Sequence, residues 1–334
     1  MKKATLVVSD FFLNDRIFDL NDPIANRDDC LYGFYCLKEK LKEIGFSLAT
    51  QDKHPVEESD LVFYNDMPKK NPINFSKSYL LLFESEIIRK DNWDLKRHSF
   101  FKKIFTWKSD LVDNLKYYKI NFPIKINPYK LNISFDKKKL ACLISAHKEV
   151  FHPLELYSER RKTITWFEQH RPSFFDYYGF GWEYFYLPAL LVKVLKKTKL
   201  LRLFPKKKTL CYQGVVNNKF KTLAHYKFCI CYENARDIPG YITEKILDCF
   251  LAGCVPIYWG ASDIEEVIPT ECYIDRKAFK DHTSLFNFLN DMTFDQYQKY
   301  QEAIKSFLEQ EAPKVFSAEM FAENILKVIK NDFR

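Results

Sequence analysis

Glu244 and Lys245, side by side where a helix should begin, are the residues best suited to chemistry in this chain. They follow Thr243 within the stretch YKFCICYENARDIPGYITEKILDCFLAGCVPIYWG, which runs from Tyr226 to Gly260. A helix N-terminus offers backbone N–H groups without intrahelical partners and the positive end of the helix dipole, and so suits an anionic ligand. A glutamate in that turn is favoured by the dipole and is accounted for as helix capping. A lysine there opposes the dipole, and a bound phosphate would remove the conflict.

The elements that must hold these residues are legible around them. Lys227–Tyr232 is a short, apolar, β-rich run and reads as a buried strand, with Glu233 and Asn234 at its carboxyl end. Asp237-Ile238-Pro239-Gly240 is a turn, in which Gly240 would let backbone approach a ligand closely. Thr243 reads as the N-cap of a helix whose apolar stripe is Ile246, Leu247, Phe250 and Leu251 and which ends at Gly253. Val255–Trp259 reads as the next strand. The unit is β-α-β, with its polar groups at the strands' carboxyl ends, where open α/β sheets bind ligands.

YKFCICYEN followed by GYITEKILDCFLAGCVPIYWG resembles the nucleotide-sugar signature of the glycosyltransferase family 10 α-1,3/4-fucosyltransferases of bacterial type. The resemblance is strongest over residues 210–280, weaker over 139–182 and the C-terminal tail, and patchy in the N-terminal half. It implies an α/β chain of GT-B fold, two Rossmann-like domains facing a central cleft, with C-terminal helices. The expected division is 1–135 for an acceptor-side domain, 136–310 for a nucleotide-sugar-binding domain, and 311–334 for a helix packing back on the first. The implied reaction moves L-fucose from GDP-fucose, with inversion, to a hydroxyl of a glycan acceptor in α-1,3/4 linkage. The expected acceptor is a GlcNAc-containing surface polysaccharide or lipopolysaccharide. No cofactor is expected, and a divalent metal would be at most stimulatory. A transferase using another nucleotide sugar, and a catalytically silent nucleotide-sugar-binding protein, stay open as alternatives.

The resemblance also assigns residues. Glu244 is expected on the ribose hydroxyls and Lys245 on the pyrophosphate, with Asn234 and Tyr241 lining the nucleotide pocket. In SERRKTITWFEQ, the family's arginine at the start of a helix aligns with Arg161, whose planar fork could grip two phosphate oxygens. Arg160 reads as part of a solvated helix start. The acceptor hydroxyl must lose a proton as it attacks, so a carboxylate is expected across the cleft as general base. Ser78–Phe83 reads as a strand ending in Glu84-Ser85-Glu86, and Glu84 aligns with the family's acid, with Glu86 as the fallback.

Composition sets wider bounds. Apolar residues make up 47% of 334, which excludes a disordered chain and allows two cores. Strands alternating with helices indicate largely parallel sheets. The net charge is +8, and residues 187–208, LPALLVKVLKKTKLLRLFPKKK, hold eight cations and no acid, so the remainder sums to zero. Two readings of that segment stand together: a basic amphipathic surface for an anionic membrane, or a solvated helix with its apolar face on the core. No nucleic-acid-binding module accompanies it, and none is expected as partner. The cysteines number nine and read as free thiols of a reducing compartment; Cys229 and Cys231 lack the partners of a zinc site. The apolar run Ala4–Val8 is too short for a signal peptide and reads as a first strand. With no membrane anchor visible, the expectation is a cytoplasmic enzyme, able to rest peripherally on the inner face of the cytoplasmic membrane.

Overall fold

The computed structural model describes residues 1–128, 131, 133–184, 187, 189–206 and 209–333; the side chains of Ala189, Leu190 and Lys193 also fall outside the description. The first sheet is built from β1 (Lys2–Val7), β2 (Phe46–Thr50), β3 (Leu61–Asn65), β4 (Ser78–Leu82), β5 (Lys103–Thr106) and β6 (Tyr117–Lys119), in the order β2-β1-β3-β4-β5-β6. Every pairing in it is parallel. Its strands are short apolar runs without alternation, and β4 is buried at all its positions, as a sheet covered on both faces requires. α1 (Tyr32–Glu43) connects β1 to β2, and the single turn α2 (Leu95–His98) precedes β5.

The second sheet is also parallel: β7 (Lys139–Ile144), β8 (Phe175–Tyr178), β9 (Tyr226–Tyr232), β10 (Val255–Trp259) and β11 (Ile274–Asp275), in the order β11-β10-β9-β7-β8. Its helices are α3 (Tyr157–His170), α4 (Ala189–Lys197), α5 (Lys219–Ala224), α6 (Glu244–Leu251), α7 (His282–Asn290) and α8 (Phe294–Leu308). α9 (Ala318–Asp332) then returns to the first sheet, where Phe321, Ala322, Ile325, Leu326 and Ile329 join the core around α1. Asp332 anchors its end by accepting from the Tyr79 hydroxyl at 2.7 Å and the Lys103 ammonium at 2.7 Å. Two parallel α/β sheets facing a common cleft, closed by C-terminal helices, make this a GT-B fold.

The elements read from sequence recur with small shifts. β1 runs from Lys2 to Val7, where the sequence marked Ala4–Val8. β6 had no sequence signal, because it is three residues long and half-exposed throughout. Residues 129, 130 and 132, just before the expected division at 135, lie outside the described residues.

An aromatic wedge joins the two bodies. Ala235, Ile238 and Tyr241 from the turn after β9, with Tyr157 of α3, pack against Ile87 and Trp107 of the first domain. The Tyr241 and Trp107 rings lie 4.8 Å apart, and Phe122 meets Tyr241 edge-on. Gly240 stands beside them at φ +77°, and a Cβ there would lie 2.3 Å from the Trp107 carbonyl oxygen. The close approach that the sequence attributed to a ligand is therefore made to the backbone of the other domain. Gly240→Ala should strain both φ and this contact, costing about 1–3 kcal/mol. Gly253, also at positive φ, has only the end of the Gln301 side chain nearby at 3.7 Å, so Gly253→Ala is the control. Thermal melts should show a clearly lower midpoint for Gly240→Ala than for Gly253→Ala; equal midpoints would mean that the close approach contributes nothing.

Candidate functional site

The site grows from the handover between β9 and α6. Glu233, the first residue past β9, is fully buried, and its carboxylate accepts the Thr243 amide at 2.8 Å, the Thr243 hydroxyl at 2.7 Å and the Lys245 ammonium at 3.1 Å. Thr243 occupies the N-cap position, but its own side chain makes no capping bond. Glu233 supplies the anion that the helix start lacks, from ten residues upstream. It also answers the electrostatic conflict of a lysine in the first turn, since Lys245 already has a buried counter-charge. Burial works against the Lys245 charge, but Glu233 and Glu244 outweigh it and hold the amine above its ordinary pKa. Glu244 is pulled the other way: burial would raise it, yet Lys245 and Lys219 bring its carboxyl down to about 2.

A cavity of about 310 Å³ opens over this junction, lined by Lys148, Arg160, Lys219, Arg27 and Lys245 against the carboxylates of Glu244 and Asp248. Five cations facing two anions give it a net positive interior. Two of the cations come from helix starts, Arg160 in α3 and Lys245 in α6. A second cavity of about 980 Å³ shares Arg27, Lys219, Glu244 and Asp248 with the first and extends across to Phe11, Phe34, Asp66, Phe83 and Glu84 of the N-terminal domain. The two form one continuous cleft, cationic on one side and aromatic on the other.

The structure corrects the arginine assignment. Arg161 points out of the cavity and pairs with Glu149 at 2.7 Å. Arg160, read from sequence as part of a solvated helix start, is 4% exposed and donates to the Tyr232 carbonyl at 2.6 Å and to Asn234 Oδ1 at 3.1 Å. Adjacent helical residues face about 100° apart, and Arg160 shares the inward face of α3 with Tyr157, Thr163, Ile164 and Phe167. Tyr241 is corrected too. It is 1% exposed in the wedge between domains and does not line the cationic cavity. Its ring gains more from burial against Trp107 and Phe122 than it would from a wet pocket. It acts on the site at one remove, since the Asn234 side-chain amide donates to its hydroxyl at 3.3 Å. Asn234, Glu244 and Lys245 all line the cavity.

Across the cleft, Glu84 lies on the wall of the larger cavity. Its backbone is pinned: the Glu84 N–H donates to Asp66 Oδ1 at 3.2 Å, and its carbonyl accepts from Asn92 and from the Trp93 indole, each at 3.1 Å. Burial pushes the Glu84 carboxyl above its ordinary value, and the neighbouring Asp66 charge adds to the rise, while Lys148 and Lys245 oppose it. Glu86 does not share this place. It is exposed, lines neither of the two cavities, and lies 3.9 Å from His152 Nε2.

Several site residues escaped the sequence reading. Glu233 was visible only as a polar residue at a strand end. Asp66 sits in a left-handed turn (φ +62°) after β3, where its carboxylate also accepts the Phe83 amide and the Asn92 side chain. Lys219 and Asp248 form a buried pair at 2.6 Å, and Asp28, from the first domain, accepts the Lys219 amide at 3.2 Å across the cleft. The Tyr157 hydroxyl is buried on the cavity wall with no hydrogen-bond partner among the described residues. Among the described residues, no group of His, Cys, Asp or Glu side chains is arranged to hold a metal ion.

Comparison with known proteins gives this geometry a lineage. Residues 191–323 match the family model described as glycosyltransferase family 10 (fucosyltransferase), C-terminal. An α-(1,3)-fucosyltransferase of Helicobacter pylori is 32% identical over 74 residues, 22% of this chain and 15% of that protein. An α-(1,4)-fucosyltransferase of Arabidopsis thaliana is 39% identical over 57 residues, 17% of this chain and 14% of that protein. The aligned stretches thus span about a seventh of those relatives' lengths. The fold is similar over almost the whole chain: a crystal structure of an α1,3-fucosyltransferase with GDP-fucose superposes with a TM-score of 0.53 at 16% identity, covering 99% of this chain and 91% of that one. A glycosyltransferase from Rickettsia africae gives a TM-score of 0.55 at 11% identity, covering 100% and 99%. The matched segment, which holds β9, α6 and β10, is thus similar to the C-terminal part of glycosyltransferase family 10, the fucosyltransferase family, and the whole chain shares a GT-B scaffold.

Proposed function

We propose that the protein transfers L-fucose from GDP-fucose to a hydroxyl of a GlcNAc-containing glycan, in α-1,3 or α-1,4 linkage and with inversion at the anomeric carbon. The observation that carries this reading is the cationic cavity set between the starts of α3 and α6 and opening directly onto a carboxylate across the cleft. The α-1,3- and α-1,4-fucosyltransferase relatives and the GDP-fucose complex of a protein of the same fold support the choice of donor and linkage.

In this reading the diphosphate sits against Lys245 and Arg160, with Glu244 on the ribose hydroxyls. As the bond from the anomeric carbon to the diphosphate oxygen breaks, negative charge grows on GDP, and fixed cations with a helix dipole stabilise it without reorganising. The acceptor hydroxyl attacks from the opposite face and gives its proton to Glu84. A carboxylate with a raised pKa is the stronger base, and it acts only when ionised. The aromatic wall of Phe11, Phe34 and Phe83 offers apolar faces for the acceptor sugar rings. No step calls on a cofactor.

Calorimetric titration with GDP should show Arg160→Ala and Lys245→Ala each weakening binding by about 1.5–3 kcal/mol, the size of a hydrogen bond to a charged group. Arg161→Ala should bind GDP nearly as the parent does. A loss at Arg161 with none at Arg160 would return the diphosphate to the other face of α3; melting curves identify any variant that is simply misfolded. Glu84→Gln should leave GDP affinity intact and lower fucosyl transfer by about 10²–10⁴-fold. Because burial raises the Glu84 carboxyl above 4.5, activity should fall away on acidification with a midpoint above that value, and Glu84→Gln should abolish this acid limb. Tighter binding of UDP than GDP, or no acceptor-dependent GDP release from GDP-fucose, would overturn the proposal.

A further inference from the structure

The segment between β8 and α5 is the most one-sided surface of the molecule. It leaves the second domain's core after Trp182 and rejoins it at Cys211, and Phe180 and Val215, just outside these points, line the cationic cavity. α4 packs on the turn that follows it, Leu200–Leu203, where Leu195 is buried and Val192, Leu201 and Phe204 are half-buried. The remaining apolar residues with described side chains are exposed. Leu191 is 40% exposed, Val194 49%, Leu200 47%, Leu203 73% and Leu210 79%. Lys196, Lys197, Lys199, Arg202 and Lys206 stand exposed among them. Lys207 and Lys208, also counted in the basic run, lie outside the described residues.

The bland account of the segment, an apolar face turned to the core and cations turned to water, fits Leu195 and, in part, Val192, Leu201 and Phe204, but not the exposed leucines. Exposed leucines cost free energy in water unless something apolar covers them. A protein partner or a nucleic acid would meet either the charges or the leucines. An anionic bilayer surface meets both, taking the leucines into its interface while its headgroups neutralise the cations. The charge balance argues the same way, since residues 187–208 hold eight cations and no acid while the rest of the chain is neutral. No helix among the described residues is long and apolar enough to cross a membrane, so the contact is peripheral.

We infer that residues 191–206 form a docking surface for anionic lipid bilayers, seating the cleft beside the membrane. The inference stands on the exposed leucines and the charge, independently of the proposed transfer. It adds that the acceptor presented to the cleft is carried by a lipid at that surface.

The test is co-sedimentation of the full chain with vesicles of phosphatidylcholine alone or with phosphatidylglycerol added. Binding should require the anionic lipid and weaken with added salt. K196Q/K197Q/K199Q/R202Q should weaken it by at least about tenfold, in line with the electrostatic contribution of each cation near a charged surface. L200S/L203S should also weaken it while leaving retention on heparin unchanged, which separates insertion from plain charge attraction. GDP titration of the same variants reports whether the cleft is intact and keeps a failure here distinct from a failure of the transferase reading. Equal binding to neutral and anionic vesicles, undiminished binding of the quadruple variant, or strong heparin binding with no vesicle binding would each overturn the inference.

Discussion

One buried carboxylate sets the terms for the whole donor side. Glu233 receives the amide and hydroxyl of Thr243 and the ammonium of Lys245, and is itself fully buried. Leaving such an ion unpaired would cost about 3–5 kcal/mol, so the three groups must be brought to it for the fold to form. That requirement fixes where α6 starts relative to the end of β9. It also turns the helix dipole and a protonated lysine toward the same cavity, ready for a polyanion that the protein itself does not supply.

The second constraint is the join between domains. The turn from Ala235 to Tyr241 follows directly on Asn234, which lines the cationic cavity, and supplies half of the aromatic wedge with Trp107. Because Asn234 hydrogen-bonds both Arg160 and Tyr241, the position of the cavity's cations is tied to the seating of one domain on the other. Asp28 reaching the Lys219 amide makes a second tie across the cleft. The site is thus a property of the two-domain arrangement, and neither sheet alone would hold it. α9 reinforces this by carrying the end of the chain back into the first core.

Local pattern was enough to read much of this chain. The short apolar strands, the turn at Asp237–Gly240 and the stripe of α6 follow from period and composition, and they suffice for a β-α-β unit and its binding edge. The placement of Glu244 and Lys245 at the helix start was legible for the same reason, because a helix boundary is decided within a few residues. Glu84 at the end of β4 was legible as a strand-end acid.

What sequence left undecided was always a question of which way a side chain turns. Arg160 and Arg161 are equivalent in composition, and only the packing of α3 on the second sheet decides that Arg160 faces inward while Arg161 meets Glu149. Tyr241 is close in sequence to the cationic cavity, yet the larger gain is burial against a tryptophan from 134 positions earlier in the chain. Glu233 became the central anion only when a hydroxyl ten residues on and a lysine twelve residues on were folded against it. Local order follows from backbone preference and periodic burial, which a sequence carries openly. The choice between two neighbouring charges depends on long-range burial, where the cost of an unpaired ion in a dry interior decides, and that is fixed only by the tertiary structure.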